Sequence, residues 1–343
     1  MSNNSQDLRP DADRPGRLAG ASLAGSLRQW IQAHWIAAVP YVILFVLIAL
    51  MGIVNPVTLR PSWLANSSES AFSLILVGIG QTFPLLAGGF DLSVGGVISL
   101  TNSLAAVHAG DSPLGIVAVS IGCLLVGVAV GCFNGWAIVR TGMQPFIVTL
   151  ATGLVCGGIA LLVLKIDGGE VSPDFTNTLL ARFGGVPLSL ILTVLLILGW
   201  FWFRETDSGL ALFAVGSDAR AARLNGVNVS VTTVLAYGVS GGFAALAGIY
   251  RTAQVASGSP TAGQSFIMLS IAAAVIGGTA IGGGYGGVVG TIVGALILRG
   301  IADLLVFMRV SSYWSSLVQG VLLILAVAVS AYASLRRRAR GSL

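Results

Sequence analysis

The run GIVAVSIGCLLVGVAVGCF, residues 115–133, holds nineteen residues without a charge. At 1.5 Å per residue a helix of that length comes close to the roughly 30 Å hydrocarbon core of a bilayer. PYVILFVLIALMGIV, residues 40–54, reads the same way. The whole chain repeats the theme. Of its 343 residues 55% are hydrophobic and 9% charged, 46 are glycine, and mean hydropathy is +0.90. Soluble domains carry about 25% charged residues, so a water-soluble fold is excluded and the chain reads as a polytopic membrane protein.

Apolar runs and the breakers between them define about ten spans: 36–54, 70–88, 93–109, 114–139, 145–164, 187–203, 231–250, 267–281, 286–306 and 314–333. The expected fold is therefore an all-α bundle of about ten transmembrane helices. The third and eighth spans are short enough to be re-entrant or broken. Ahead of them, residues 1–35 form a polar segment rich in Pro, Gly and Ser that reads as largely disordered. Within it Leu27, Trp30, Ile31 and Trp35 share one face of a possible interfacial helix. No cleavable signal is expected, because the first apolar run begins about 35 residues in. The chain closes on a basic tail, 334–343.

Orientation follows from the arginines. With the N-terminus in the cytoplasm, Arg9, Arg14, Arg17, Arg28, Arg140, Arg204, Arg220, Arg223, Arg336, Arg337, Arg338 and Arg340 fall inside. Arg60, Lys165, Arg182, Arg251 and Arg309 fall outside, and Arg299 lies within a span. The positive-inside rule then places both termini, and the segment 204–230, in the cytoplasm. Segments 165–186 and 251–266 are expected outside.

One cytoplasmic stretch is unlike its surroundings. GSDARAARLNGVNVS, residues 216–230, carries Asp218, Arg220 and Arg223 between two apolar spans. Ser217 or Asp218 can cap a first turn, ARAARL favours helix, and Gly226 supplies the left-handed stop. Arg220 and Arg223, three apart, share a face.

Several familiar patterns fail in context. GVSGG (238–242) matches a nucleophile elbow but sits inside an apolar helix, and neither His34 nor His108 is placed to assist. GGGYGG (282–287) lacks the preceding strand of a dinucleotide site. Cys123, Cys132 and Cys156 lie in apolar runs without metal spacing, so no metal site is expected. The only lysine, Lys165, is in VLKID, so there is no phosphate-binding P-loop and any ATP-driven work must come from a partner. Two sets of glycines at four-residue spacing, Gly127, Gly131 and Gly135, and Gly282, Gly286, Gly290 and Gly294, read as helix-packing grooves. Polar groups within spans that could line a route or gate are Gln81, Asp91, Asn102, Asn134, Arg299 and Asp303. Asp91 also suits a helix N-cap, and Arg299 can pair with Asp303 at i, i+4. The segments 78–100 and 272–296 each run from an apolar helix through a glycine-rich turn to a small-residue helix, which suggests an internal repeat.

Four motifs in order, GQTFPLLAGGFDLSVGG, QPFIVTLATG, AVGSDARAARLNGVNV and IAAAVIGGTAIGGGYGGVVGTIVGALI, resemble permease subunits of ribose-type sugar ABC importers. The similarity runs from about residue 65 to 333. It departs from the pattern at Pro84, and at Ala302 and Asp303, where ribose permeases carry an asparagine pair. The resemblance implies a non-enzymatic permease of the bacterial inner membrane, moving a monosaccharide or related polyol. It also implies partners: ATPase subunits that hold ATP and Mg, a periplasmic or lipid-anchored sugar-binding protein, and a second permease chain, as a homodimer. No cofactor bound by this chain and no nucleic acid are expected. In such a permease residues 204–230 are the coupling loop, with Ser217, Asp218, Arg220, Ala221, Ala222, Arg223, Leu224 and Gly226 facing the ATPase. A nucleoside or branched-chain amino acid is the alternative cargo. An ion-coupled secondary transporter is the alternative machine; it needs membrane ionisable groups, and only Asp91, Arg299 and Asp303 are available.

Overall fold

A computed structural model describes residues 23–110 and 112–310, together with isolated positions between 314 and 324. The chain divides at Pro40 into two units. In the first, only residues from Leu23 onward are described, as helix; the helix α1 is Leu23–Val54. The face of Leu27, Trp30, Ile31 and Trp35, the polar segment before residue 23, the basic tail and most of span 314–333 lie outside the described residues.

The second unit carries the bundle. Its elements are α2 (Pro61–Leu86), α3 (Val94–His108), α4 (Pro113–Thr141), α5 (Pro145–Val163), α6 (Pro173–Leu179), the two-residue strands β1 (Arg182–Phe183) and β2 (Val186–Pro187), α7 (Leu188–Arg204), α8 (Asp207–Ser217), α9 (Ala219–Leu224), α10 (Val229–Val255), α11 (Gln264–Ile276) and α12 (Val288–Phe307). Helices α2, α4, α5, α10 and α12 are each long and apolar enough to cross a membrane. Helices α7 and α8 meet that test only as a pair, and they are bent by 76° at Glu205–Thr206. Helices α3 and α11, at 15 and 13 residues, are too short to cross alone, as their apolar runs indicate.

Helix α2 is the axis of the bundle. Sixteen consecutive residues, Ala71–Leu86, are buried, so the helix is enclosed on every side. It packs on α10, α11 and α12. The tightest pair is α4 with α10, and the glycines of α4 explain it. Gly127 lies against Gly241 and the Ala245 methyl, Gly131 against the backbone of Tyr237 and Gly238, and Gly135 against the backbone of Val234. Without a hydrophobic force between helices in lipid, such close approach maximises dispersion contact.

The second glycine set behaves differently from the continuous helical groove expected of it. Gly290 and Gly294 do lie on α12, against Gly277, which caps α11, and Ala273 of α11. Gly282 and Gly286 lie in the turn before α12, where Gly283, Gly284 and Gly286 take φ values of +84°, +71° and +128°. Those angles end a right-handed helix.

The suggested repeat has a counterpart in hydrogen bonding. At the end of α2, Ala87 N–H donates to Phe83 O, Gly88 N–H to Leu85 O and Gly89 N–H to Pro84 O (3.1, 3.0 and 2.8 Å). At the end of α11, Gly277 N–H donates to Ala273 O, Gly278 N–H to Val275 O and Thr279 N–H to Ala274 O (3.0, 2.9 and 2.9 Å). Gly88 and Gly278 have φ of +84° and +90°. Both are left-handed caps with the same bonding pattern, and each precedes the turn into a second helix.

Helix α9 and the α6–β2 region lie toward opposite ends of α10, which α9 leads into and the loop 256–263 leaves. Ser172 is buried, its Oγ capping α6 through Asp174 N–H at 3.1 Å, whereas Asn177 and Arg223 are exposed. Cysteines introduced at Asn177 and Arg223 in an otherwise cysteine-free chain should therefore react with an impermeant maleimide from opposite sides of the membrane. Labelling of both from one side would contradict the orientation read from the arginines.

Candidate functional site: two helix breaks and a charged arm

The turn after α2, residues 87–93, is held from four helices. Gln81 on α2 bridges both backbone groups of Asp91: with its amide turned to satisfy them, Nε2 donates to Asp91 O at 3.0 Å and Oε1 accepts from Asp91 N–H at 3.2 Å. Asp91 Oδ1 accepts from Ser93 N–H at 3.0 Å and from Ser93 Oγ. Asn134 Nδ2 on α4 donates to Ser93 Oγ at 2.9 Å, and Thr152 Oγ1 on α5 donates to Asn134 Oδ1 at 2.7 Å. Thr149 Oγ1 accepts from Leu92 N–H at 3.1 Å, and Tyr237 on α10 donates to Phe90 O at 3.2 Å. The Asp91 side chain organises the turn into α3 by accepting from Ser93, and the N-cap expected at Asp91 falls at Ser93 instead.

Gln81, Asp91, Asn102 and Asn134 are each at most 1% exposed. They bind the chain to itself, and a route past them requires this conformation to change. The Asp91 carboxylate also has the Ser240 side chain of α10 as a partner.

Asn102 is placed apart from that network. Its Nδ2 donates to Thr252 Oγ1 at 2.7 Å, its Oδ1 accepts from Ser259 N–H at 2.6 Å, and its carbonyl accepts from Thr252 Oγ1 at 3.2 Å. It clamps α3 to α10 and to the loop after α10. Arg299 and Asp303 form the expected ion pair at 2.8 Å on α12, with Ser67 Oγ donating to Asp303 at 3.3 Å. Around them is a polar belt that sequence reasoning missed. Arg182 pairs with Glu69 at 2.9 Å, Gln254 Nε2 donates to Glu69 O at 2.9 Å, and Arg251 donates to Gln254 Oε1 at 2.9 Å. The partners are up to 185 residues apart, beyond the reach of local pattern.

The charged stretch folds as its residue types dictate. Asp218 caps α9, its Oδ1 accepting from Arg220 N–H and Ala221 N–H at 2.8 and 2.9 Å. Asn225 and Gly226 close it, Gly226 at φ +85°. Ser217, Asp218, Arg220, Ala221, Arg223 and Gly226 are exposed, and Leu224 is 83% exposed. Ala222 is the exception. It is turned against the chain's own body at 5% exposure, so it is unavailable to seat in a partner's groove. Helix α8, which leads into α9, was not foreseen, although Thr206 is a helix cap with Asp207 in the following turn.

The arm and the two breaks touch. Gly284 N–H, in the turn before α12, donates to Leu86 O at the end of α2 (3.0 Å). Gly216, at the end of α8, lies against both atoms of that bond.

Residues 64–327 match the family described as "Branched-chain amino acid transport system / permease component". The chain belongs to this family. It is a polytopic all-α membrane permease component. Among curated relatives, the ribose import permease protein RbsC of Escherichia coli (strain K12) is 34% identical over 294 residues, covering 83% of this chain and 91% of the relative. RbsC of Bacillus subtilis (strain 168) is 35% identical over 296 residues, covering 84% and 90%. The D-allose transport system permease protein AlsC of Escherichia coli (strain K12) is 34% identical over 297 residues, again 84% and 90%. No solved structure matches the permease.

Asn102→Leu should strand the part-buried Ser259 N–H and remove the donor to Thr252 Oγ1, whose hydroxyl keeps its bonds to the carbonyls of residues 102 and 248. The expected cost is about 2–3 kcal/mol, read as a lower thermal unfolding midpoint in detergent. An unchanged midpoint would show that the clamp carries no load.

Proposed function

We propose that the chain is the membrane-spanning subunit of a binding-protein-dependent ABC importer, carrying a monosaccharide or related polyol into the cell by ATP-driven alternating access. The observation that carries the reading is the end-to-end match to ribose and allose permeases, which spans about nine-tenths of each relative. The family description names branched-chain amino acids, but the sugar permeases are the relatives aligned over most of this chain. In this reading the bundle has about ten spans with both termini in the cytoplasm, and two permease chains pair as a homodimer. ATP and Mg belong to separate ATPase subunits, and a periplasmic or lipid-anchored binding protein delivers the solute at the other face.

Helix α9 suits contact with an ATPase. It is capped at both ends, so it is a stiff unit despite its six residues. It presents one large apolar side chain, Leu224, beside the cations Arg220 and Arg223. An exposed leucine ringed by charge is an anchor for a partner's groove, and the arginines suit acidic groups at its rim.

Ala222 faces inward, so Ala222→Glu would disturb the permease itself; Leu224 is the cleaner probe. Leu224→Asp should leave insertion and thermal stability unchanged, because its side chain is 83% exposed, while solute uptake and ATPase stimulation both fall at least about tenfold. Gly226→Val should give the same pair of losses, since the left-handed backbone excludes a β-branched residue. Full uptake with full stimulation in a normally inserted Leu224→Asp chain would remove α9 from the ATPase interface.

A further inference from the structure

We infer that Gly216 is a positioning residue for transport: it is the joint through which α8 and α9 move both helix breaks as one body. The inference rests on the reading of α9 as the ATPase contact.

Three segments far apart in sequence meet here, and Gly216 touches the other two through backbone atoms alone. A Cβ at Gly216 would strike Leu86 O and lie 2.5 Å from Gly284 N, the two atoms of the bond between the breaks. A Cβ at Gly283 would lie 2.6 Å from Gly216 O and 3.0 Å from the Gly88 Cα. One at Gly284 would strike the Ser217 Oγ and lie 2.9 Å from both the Cα and the N of Ser217. Apart from that hydroxyl the surfaces in contact are backbone, which cannot yield by changing rotamer. Close-packed contacts without slack transmit displacement instead of absorbing it.

The connections on either side are equally short. Ser217 alone separates Gly216 from Asp218, the cap of α9. Asp218 N–H still bonds back to Ala214 O at 3.1 Å, so α8 and α9 are stiffly joined. Leu86 is the last residue of α2 and opens directly on the turn that holds Asp91; Gly284 lies four residues before α12. A push on α9 thus reaches the end of α2 and the entry to α12 at one point. The hydrogen bond from Gly284 N–H to Leu86 O keeps the two breaks in register as they move.

The test uses the assembled transporter, permease with its ATPase subunits, and hydrogen exchange read by mass spectrometry with and without a non-hydrolysable ATP analogue. The expected result is that amides of 219–224, 87–93 and 278–287 change protection together. Change confined to 219–224 would overturn the joint while leaving the ATPase contact intact. No change at 219–224 would overturn the ATPase contact, and the joint with it. In proteoliposomes, Gly216→Ala should hydrolyse ATP normally but move at least about tenfold less solute per ATP, because one methyl group forces the breaks apart. Gly199→Ala, whose added methyl meets open space, should keep the wild-type ratio. A wild-type ratio in Gly216→Ala would also overturn the joint. If that variant fails to assemble, the exchange measurement on the wild-type complex decides.

Discussion

Where a helix breaks inside an apolar layer, the freed N–H and C=O groups have no water to turn to and must find partners within the chain. The bundle is organised around two such breaks. Each ends in a left-handed cap that returns three N–H groups to the preceding helix. What the caps leave over is taken up across the break: Leu86 O by Gly284 N–H, Asp91 N–H and O by Gln81, Leu92 N–H by Thr149 and Phe90 O by Tyr237. The buried polar side chains therefore answer first to the backbone. Short helices α3 and α11, which cannot cross a bilayer alone, are possible because these interactions complete their ends.

This requirement explains what the sequence revealed and what it withheld. The α9 cap was legible because Asp218, the alanines and Gly226 act within a few residues of one another. The Arg299–Asp303 pair was legible for the same reason, being one helical turn apart. The α4 glycines were legible as a packing face, since four-residue spacing inside a long apolar run has few other uses. Gly282 and Gly286 keep that spacing too, but their backbone is set by what they touch. Gly286 sits against Thr279, and its neighbours Gly283 and Gly284 sit against Gly216 and Ser217, so periodicity alone misread them as helix. Asn102 looked like a group available to solute, yet its three hydrogen bonds join residues 150 or more apart. Polarity within a span signals a polar partner and leaves open whether that partner is solute or backbone.

The same arrangement suits a machine that must hold two conformations. Most of α2 is sealed in apolar contact, whereas the turn beyond it is held by side-chain hydrogen bonds from α2, α4, α5 and α10. The charged arm stands at the two breaks and the Arg182–Glu69 and Arg299–Asp303 belt stands away from them; in the proposed importer the first would receive work and the second would meet the solute.

The central question is whether this chain carries a sugar under the control of ATP. The direct measurement is uptake of radiolabelled monosaccharides, with branched-chain amino acids as competitors, into proteoliposomes holding the permease and its ATPase, with the cognate binding protein outside. The account predicts accumulation of a sugar or polyol that requires ATP inside the vesicle and the binding protein outside, and that persists when proton and sodium gradients are collapsed. Uptake by the permease alone on an ion gradient, or accumulation of a branched-chain amino acid in place of a sugar, would contradict it.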